Sequence, residues 1–337
     1  MEKIRFIIFA ALLAALLAVP VILMLRPSQP DPLYQGHPLS YWMEQEFLGT
    51  NGRAAHVKAG EAVRATGSNA IPLLVRLLGA SDAPLKLKWI HLAQKQHFFS
   101  VHYVPAAWLN NAAGTWLSRL DSASQTAAVP DLAKVYDKAS SPNSQFIVIN
   151  ALGRIGNDPQ TAIPTVIRAL DNPAAEVRTA AVSSLGEINP AAAIAVPALR
   201  KALRDPDWDV CSTACSWLRN FLPEAKTAVP DLRQLLDNTD YMKCDAAFRA
   251  LWDVDPDTAA DIVLNSTNRW LRDPMPARRA HTADELLWRK VQTRALVPVL
   301  IELLKDTDPS VRAAAAEALN RIDPQAAAKA GAVVPSQ

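Results

Sequence analysis

Residues Asp171–Leu203 read DNPAAEVRTAAVSSLGEINPAAAIAVPALRKAL, which is the pattern of two short helices joined by a turn. The first half places apolar side chains on one helical face, at Val177, Ala181, Leu185 and Ile188. The pair Asn189-Pro190 ends that helix, because proline pushes the preceding residue out of the helical region. A second apolar stripe follows at Val196, Leu199, Ala202 and Leu203. The segment therefore predicts a helical hairpin.

The hairpin pattern recurs along the chain with a period of 33 residues. One column holds Leu152, Leu185, Leu218 and Leu251, and another holds Pro164, Pro197 and Pro230. A fixed period of this length is typical of stacked helical units, each of which buries its apolar face against the next. We predict units at 53–80, 105–138, 141–170, 171–203, 204–236, 237–271 and 272–305, with a capping helix pair at 306–328.

Two segments before amphipathic, alanine-rich stretches share a turn motif, Asp171-Asn-Pro-Ala-Ala-Glu-Val-Arg178 and Asp306-Thr-Asp-Pro-Ser-Val-Arg312. With this motif the chain resembles the HEAT-repeat family over residues 53–328, particularly the short bacterial HEAT-like repeats of the phycobilisome-lyase type. The resemblance implies an all-α fold, a right-handed α-solenoid of about seven hairpins with a C-terminal cap and a concave binding face.

The resemblance also implies a structural role for Arg178 and Arg312. In this family the arginine after the valine usually braces an acidic residue of a turn. Other units replace this arginine with Gln145, Cys211 and Cys244, so we expect the brace to be absent there.

The N-terminal segment Phe6–Leu25 contains 20 residues without a charged or polar side chain. A helix of this length spans about 30 Å, the thickness of a bilayer core. We predict a single membrane-spanning anchor at 1–26 in the inner membrane, with the repeats on the extracytoplasmic, periplasmic side. A cleaved signal that yields a secreted protein is the alternative. A proline-rich tether and N-terminal cap (27–52) precede the repeats, and a short tail (329–337) follows them.

Charge and cysteine content exclude some classes of protein. Lys+Arg (35) and Asp+Glu (33) nearly balance, which does not favour nucleic-acid binding. Cys211 and Cys244 lie 33 residues apart, at equivalent positions of neighbouring helices. Such helices are about 8–10 Å apart, beyond the roughly 6.8 Å that bridged Cα atoms allow. We therefore expect Cys211, Cys215 and Cys244 to be buried small side chains without a disulfide.

One polar column offers a candidate partner-binding surface. The residue four places after the repeated proline is basic in four units, at Arg76, Lys134, Arg168 and Lys201, and becomes Gln234 and Glu302 later. Stacked second helices would place these cations about 10 Å apart along the concave face. We predict that they attract an acidic segment of a partner protein or an anionic polymer. An exposed face that is merely solvated by these side chains is the alternative.

The insert 81–104 interrupts the repeats and carries His91, His97 and His102. Their spacings match no helical or finger-type pattern of metal ligands. We expect an aromatic loop that folds over the repeats or docks a partner, with a small-ligand or metal sensor as the alternative. Further along, we interpret the charges around Asp284 and Glu285 as a solvated face. We consider Trp208 and Trp270 candidate exposed anchors, because they lie near the junctions of units.

No recognised catalytic motif is present in the chain. It has only 11 glycines and lacks a phosphate-binding loop, a Gly-x-Ser-x-Gly elbow and a His-Glu-x-x-His sequence. We therefore predict no catalytic, cofactor-binding or metal-binding residue. The predicted function is a membrane-anchored, extracytoplasmic scaffold that binds proteins. A HEAT-type enzyme or chromophore-handling protein of the lyase-associated group is the alternative.

Overall fold

A computed structural model describes residues 31–49, 52–95, 103–156, 158–236, 241–288 and 294–332. Within these ranges the fold is predominantly helical, as predicted. The strands described are β1 (Leu33–Tyr34) and β2 (His37–Pro38), which pair antiparallel. The chain divides into two units, Met1–Thr165 and Val166–Gln337, and the boundary falls within one helix.

The first unit consists of successive helices that pack on one another. Their bounds are α1 (Leu39–Leu48), α2 (Gly52–Thr66), α3 (Ile71–Leu78), α4 (Pro84–Lys95), α5 (Ala106–Leu117), α6 (Ser122–Lys138) and α7 (Pro142–Ile155). Local chemistry sets the helix starts. The Asp121 carboxylate accepts a hydrogen bond from the Ser124 backbone N–H at 3.0 Å, and Pro142 occupies the first turn of α7. Helix α8 (Pro159–Ala169) contains the boundary between the units.

The second unit continues the pattern of helical hairpins. Its helices are α9 (Ala175–Ile188), α10 (Ala192–Ala202), α11 (Trp208–Leu218), α12 (Val229–Leu235), α13 (Tyr241–Val254), α14 (Pro256–Trp270), α15 (Pro276–Trp288), α16 (Val297–Leu303), α17 (Pro309–Ile322) and α18 (Pro324–Ala330). The leucine column lies in its core, because Leu185, Leu218 and Leu251 are fully buried.

The hairpin of α9 and α10 shows how the repeat sequence shapes the chain. Helix α9 ends where Asn189 adopts a left-handed conformation with φ of 50°. Asparagine tolerates this conformation better than most residues, and it is a common way to end a helix. Near the end of α9 the indole of Trp217, on α11, lies directly against Gly186. A small residue at that position lets the two helices approach closely.

The three cysteines, part of the insert and Trp270 lie within the described residues. Cys211, Cys215 and Cys244 are buried thiols, as expected, and none of them is bridged to another. The expectation of a loop in the insert is wrong for its described part, because residues Pro84–Lys95 form α4, which proline can begin without loss of a hydrogen bond. Trp270 is buried with 7% exposure and is not an exposed anchor, because its ring packs beside Phe248.

The predicted membrane anchor at 1–26 lies outside the described residues, as do His97 and His102 of the insert. Among the helices that are described, none combines the length and the apolar character needed to cross a membrane.

Candidate partner-binding cleft

An open cleft of about 670 Å³ lies in the second unit, between the turn before α9, the end of α10 and the turn before α11. Its charged lining residues are Asp171, Arg178, Arg200, Lys201, Arg204 and Asp205. Basic side chains outnumber acidic ones in this lining. The cleft therefore carries an excess of positive charge, and the pairing of each cation decides which of them are available to a ligand.

Arg178 forms part of the cleft wall and is fully engaged. Its Nε and Nη2 atoms donate to the two carboxylate oxygens of Asp205, each at 2.8 Å. Its Nη1 atom donates to the backbone carbonyls of Asn172 and Pro173 at 2.9 and 3.1 Å. Burial raises the pKa of Asp205, but the hydrogen bond from Arg178 and the nearby positive charges outweigh it and lower that pKa overall. The bracing role implied for Arg178 is thus confirmed.

The same brace is present at one other turn and altered at others. Arg279 holds Asp306 through two hydrogen bonds of 2.7 and 2.8 Å. Arg312 donates only to backbone carbonyls among the described residues, at 2.8 and 3.1 Å. Where Cys211 replaces the arginine, the buried side chain of Lys243 from the next hairpin instead donates to the turn carbonyls at residues 205 and 206, at 2.8 and 2.7 Å.

Lys201 of the predicted cation column lies in the cleft, where its Nζ atom pairs with the Asp171 carboxylate. Both side chains are more than half exposed, at 56% and 68%. An exposed pair of this kind contributes only about 0–1 kcal/mol to stability. Lys201 can therefore leave Asp171 for another anion at little cost.

Arg200 and Arg204 share one buried carboxylate. Arg200 Nε and Arg204 Nη2 each donate to a different oxygen of Asp231 at 2.6 Å, and the Asp231 side chain is only 4% exposed. Burial raises the pKa of Asp231, but the hydrogen bonds from the two arginines and their positive charges outweigh this effect and lower that pKa overall. Each guanidinium uses one nitrogen on Asp231. Its remaining N–H groups make no hydrogen bond within the described part of the chain.

The matches to known families agree with this architecture. Residues 129–196 and 267–330 match the family described as HEAT repeats. Residues 195–225 match a second family, described as HEAT repeat. The chain belongs to the HEAT-repeat family. Proteins built from HEAT repeats typically serve as scaffolds for protein interaction. These matches do not distinguish the phycobilisome-lyase type from other HEAT repeats, and no curated protein sequence matches the chain.

Comparison with solved structures gives matches of low sequence identity. Kap121p bound to RanGTP shares a TM-score of 0.51 at 14% identity, over 84% of this chain and 33% of that one. YIBA of E. coli gives 0.49 at 12% identity, over 87% and 98%. Human deoxyhypusine hydroxylase in complex with glycerol gives 0.33 at 19% identity, over 78% and 88%. At 14% identity the likeness to Kap121p concerns the fold alone.

The predicted cation column of this HEAT-repeat chain is distributed over both units. Arg76 is half-buried on α3, with Nη1 buried and without a hydrogen-bond partner among the described residues. Lys134 is exposed on α6 and pairs with Asp131 at 2.8 Å. Arg168 is exposed near the end of α8 and is not among the residues that line the cleft. Of the four, Lys201 alone lies in the cleft lining.

The sequence-based prediction missed Arg200, Arg204 and Asp231. Arg200 and Arg204 are four residues apart, a spacing that places two side chains on one side of a helix end. That spacing is a usable signal for a pair of cations. Asp231 follows the repeated proline of the next hairpin, and only the packing of the two hairpins brings it to the arginines.

Proposed function

We propose that this HEAT-repeat protein is a non-catalytic scaffold that binds an acidic segment of a partner protein in the cleft of the second unit. The arrangement of Arg200 and Arg204 on Asp231 carries this proposal. Asp231 fixes one edge of each guanidinium, and the other N–H groups remain available for carboxylates. Guanidinium groups bind carboxylates through paired hydrogen bonds, so an aspartate or glutamate side chain is the matching ligand.

Asp231 prepares the site for binding. Because it is buried between the arginines, it holds both side chains before any ligand arrives, which reduces the entropy lost on binding. One carboxylate cannot neutralise two guanidinium groups, so a net positive charge remains. Lys201 adds a third cation when it leaves Asp171. An approaching acidic segment is attracted over about one Debye length, roughly 8 Å at physiological salt.

The size of the cleft indicates what part of a partner it accepts. Its volume of about 670 Å³ lies within the roughly 300–1,000 Å³ typical of ligand pockets. A few residues of an extended peptide fit such a space, whereas a folded protein face does not. We therefore propose a short acidic segment as the anchoring element of the partner.

A fluorescent peptide rich in glutamate, titrated against the full-length protein in detergent, tests the cleft by anisotropy. The double variant Arg200→Glu/Arg204→Glu should weaken binding at least tenfold, about 1.4 kcal/mol. Lys201→Glu should weaken it less, because Lys201 must first leave Asp171. Arg219→Glu is the matched control, since Arg219 is exposed in the same unit and lies outside the cleft lining.

The same titration separates the cleft from the column predicted by the sequence. If Arg76→Glu and Lys134→Glu weaken peptide binding as much as the Arg200/Arg204 variant does, the column and not the cleft is the binding surface. Equal binding of the peptide by every variant would contradict both the proposed cleft and the predicted column.

We also propose that the repeats are attached to the extracytoplasmic face of the inner membrane through residues 1–26. The support is the uncharged segment Phe6–Leu25 with basic residues on both sides. N-terminal sequencing of the protein from membrane fractions tests this location. An intact N-terminus in alkali-resistant membranes supports the anchor, whereas a soluble extracytoplasmic chain that begins beyond residue 25 supports the secreted alternative.

A further inference from the structure

Three side chains with metal-binding chemistry converge at the junction of α13 and α15, away from the cleft described above. Asp245 lies on α13, and His281 and Glu285 lie one turn apart on α15. One ligand atom from each residue lies within 4.8 Å of the other two. All three residues are partly buried. The cluster therefore combines one imidazole nitrogen with two carboxylate oxygens.

The spacing of His281 and Glu285 fits two ligands of one ion better than it fits a direct hydrogen bond. His281 Nε2 and Glu285 Oε1 are 3.7 Å apart, which is too long for a hydrogen bond. Two ligands bound at about 2.1 Å with a tetrahedral angle are separated by about 3.4 Å. A small change in either side chain closes this difference. Asp245 then reaches the same point from the neighbouring helix.

A small cleft of about 20 Å³ adjoins the cluster and is lined by a further polar side chain, Thr267. Asp245, His281, Glu285 and Thr267 all line it. Thr267 is only 1% exposed, and its hydroxyl has no hydrogen-bond partner within the described ranges. A volume of about 10–15 Å³ is enough for one water molecule. The cleft thus has room for one water molecule. Such a water would hydrogen-bond to the Thr267 hydroxyl and occupy a coordination position of a metal ion.

The packing around the cluster gives such an ion a structural role. The first helices of neighbouring hairpins pack closely at α9 and α11, at α11 and α13, and at α15 and α17. Helices α13 and α15 pack less closely than these pairs. A ligand from α13 and two ligands from α15 would therefore hold together the least tightly packed junction of this kind among the described helices of the second unit.

We propose that Asp245, His281 and Glu285 bind a divalent transition-metal ion that joins α13 to α15. Zn²⁺ matches the donor set, because it accepts imidazole and carboxylate ligands and commonly keeps one water. The two carboxylates balance the charge of the ion. Thr267 would hydrogen-bond to the bound water. Arg249 now donates to Asp245 at 2.6 Å and is 61% exposed, so it can move into solvent when the ion binds.

The test uses the chelator-treated full-length protein in detergent and Zn²⁺ alone as the probe. Calorimetry should show one Zn²⁺ per chain, and the midpoint of thermal unfolding should rise with Zn²⁺ concentration. Glu285→Gln and Asp245→Asn keep the side-chain shapes and should each weaken binding at least about tenfold, and Thr267→Val should weaken it less. Circular dichroism checks that each variant remains folded.

Two control variants exclude other zinc ligands. Cys244→Ala removes the thiol that lines the same cleft, and His91→Ala removes an exposed histidine of the insert. Both should keep full affinity, as should Arg200→Glu/Arg204→Glu, which separates this test from that of the acidic-segment cleft.

Three results would overturn the proposal: no heat with Zn²⁺, undiminished affinity in the Asp245/Glu285 double variant, or loss of zinc binding in Cys244→Ala or His91→Ala. Preference for Ca²⁺ or Mg²⁺ over Zn²⁺ would also overturn it, because those ions favour all-oxygen ligands.

Discussion

Arg178 and Asp205 face each other so that two nitrogens of the guanidinium meet both oxygens of the carboxylate, each at 2.8 Å. Arg178 belongs to the first helix of one hairpin, and Asp205 belongs to the turn before the first helix of the next. The pair therefore fixes the position of one hairpin against its neighbour. Arg279 and Asp306 repeat the arrangement further along the chain.

We expect Arg178→Lys to destabilise the second unit by about 2 kcal/mol, because hydrogen bonds to charged groups contribute about 1.5–3 kcal/mol and lysine cannot make the paired contact. Urea unfolding followed by circular dichroism measures the loss. Arg219→Lys is the control, because Arg219 is 62% exposed and lies 3.9 Å from Asp253. A lysine variant as stable as the control would show that the bidentate geometry is dispensable.

The braces also predict how stability depends on pH. The hydrogen bond from Arg279 lowers the pKa of Asp306, although burial opposes it, and the pKa of Asp205 is lowered as well. A carboxylate whose folded pKa lies below its unfolded value, about 3.9, stabilises the fold above that value. This stabilisation is lost as the pH falls through the folded pKa.

Urea unfolding between pH 7 and pH 3 should therefore show stability falling below about pH 4. The double variant Asp205→Asn/Asp306→Asn should be less stable at pH 7 and should lose less on acidification. Parallel curves for the variant and the natural protein would exclude these two carboxylates as the cause.

Asn110 connects three helices of the first unit. Its side-chain amide donates to the carbonyls of Leu77 at 2.8 Å and Leu78 at 3.0 Å, at the end of α3, and its oxygen accepts from Ser144 of α7 at 3.1 Å. Asn110→Ala should cost about 1–3 kcal/mol, because buried carbonyls lose their donor. Asn111→Ala is the adjacent control, since Asn111 is exposed, and should change stability by less than about 0.5 kcal/mol.

Gly186 has no room for a side chain. A Cβ atom there would overlap the indole of Trp217. Gly186→Ala should therefore destabilise the protein by about 1–3 kcal/mol through overpacking, despite the higher helix propensity of alanine. Gly52→Ala is the control, because Gly52 begins α2 with open space around it. Shortening the indole in Gly186→Ala/Trp217→Leu should restore part of the loss, and failure of this rescue would argue against a steric cause.

The cysteines should be unreactive in the folded protein. The hydrogen bond with Cys211, together with burial, raises the pKa of the Cys215 thiol, and the thiolate is the reactive form. Ellman's reagent at pH 8 should label the native protein negligibly and should label all three thiols in urea. Ser216→Cys provides an exposed thiol on the same helix as a positive control. Rapid labelling of the native protein would contradict the burial.

The helical hairpins could be predicted from sequence because their determinants are local. The apolar stripe of α9, its end at Asn189 and the repeat of 33 residues require only chain geometry, and Cys211 and Cys244 follow the same period. The helix in the insert was harder to predict, because the apolar and charged residues of α4 do not form a clear apolar stripe. The brace of Arg178 was predicted from the resemblance to HEAT repeats. The contacts of Lys243 with the turn at residues 205 and 206 were not predicted.

The sequence by itself determined where helices begin, end and bury their apolar faces, because those preferences act within about one or two turns of chain. The tertiary structure alone decided which charged groups meet. Asp231 reaches Arg200 from 31 residues away, and Asp245 reaches His281 from the neighbouring hairpin. These meetings depend on the offset between stacked hairpins, which is set by the packing of side chains such as Trp217 on Gly186 and not by any local pattern.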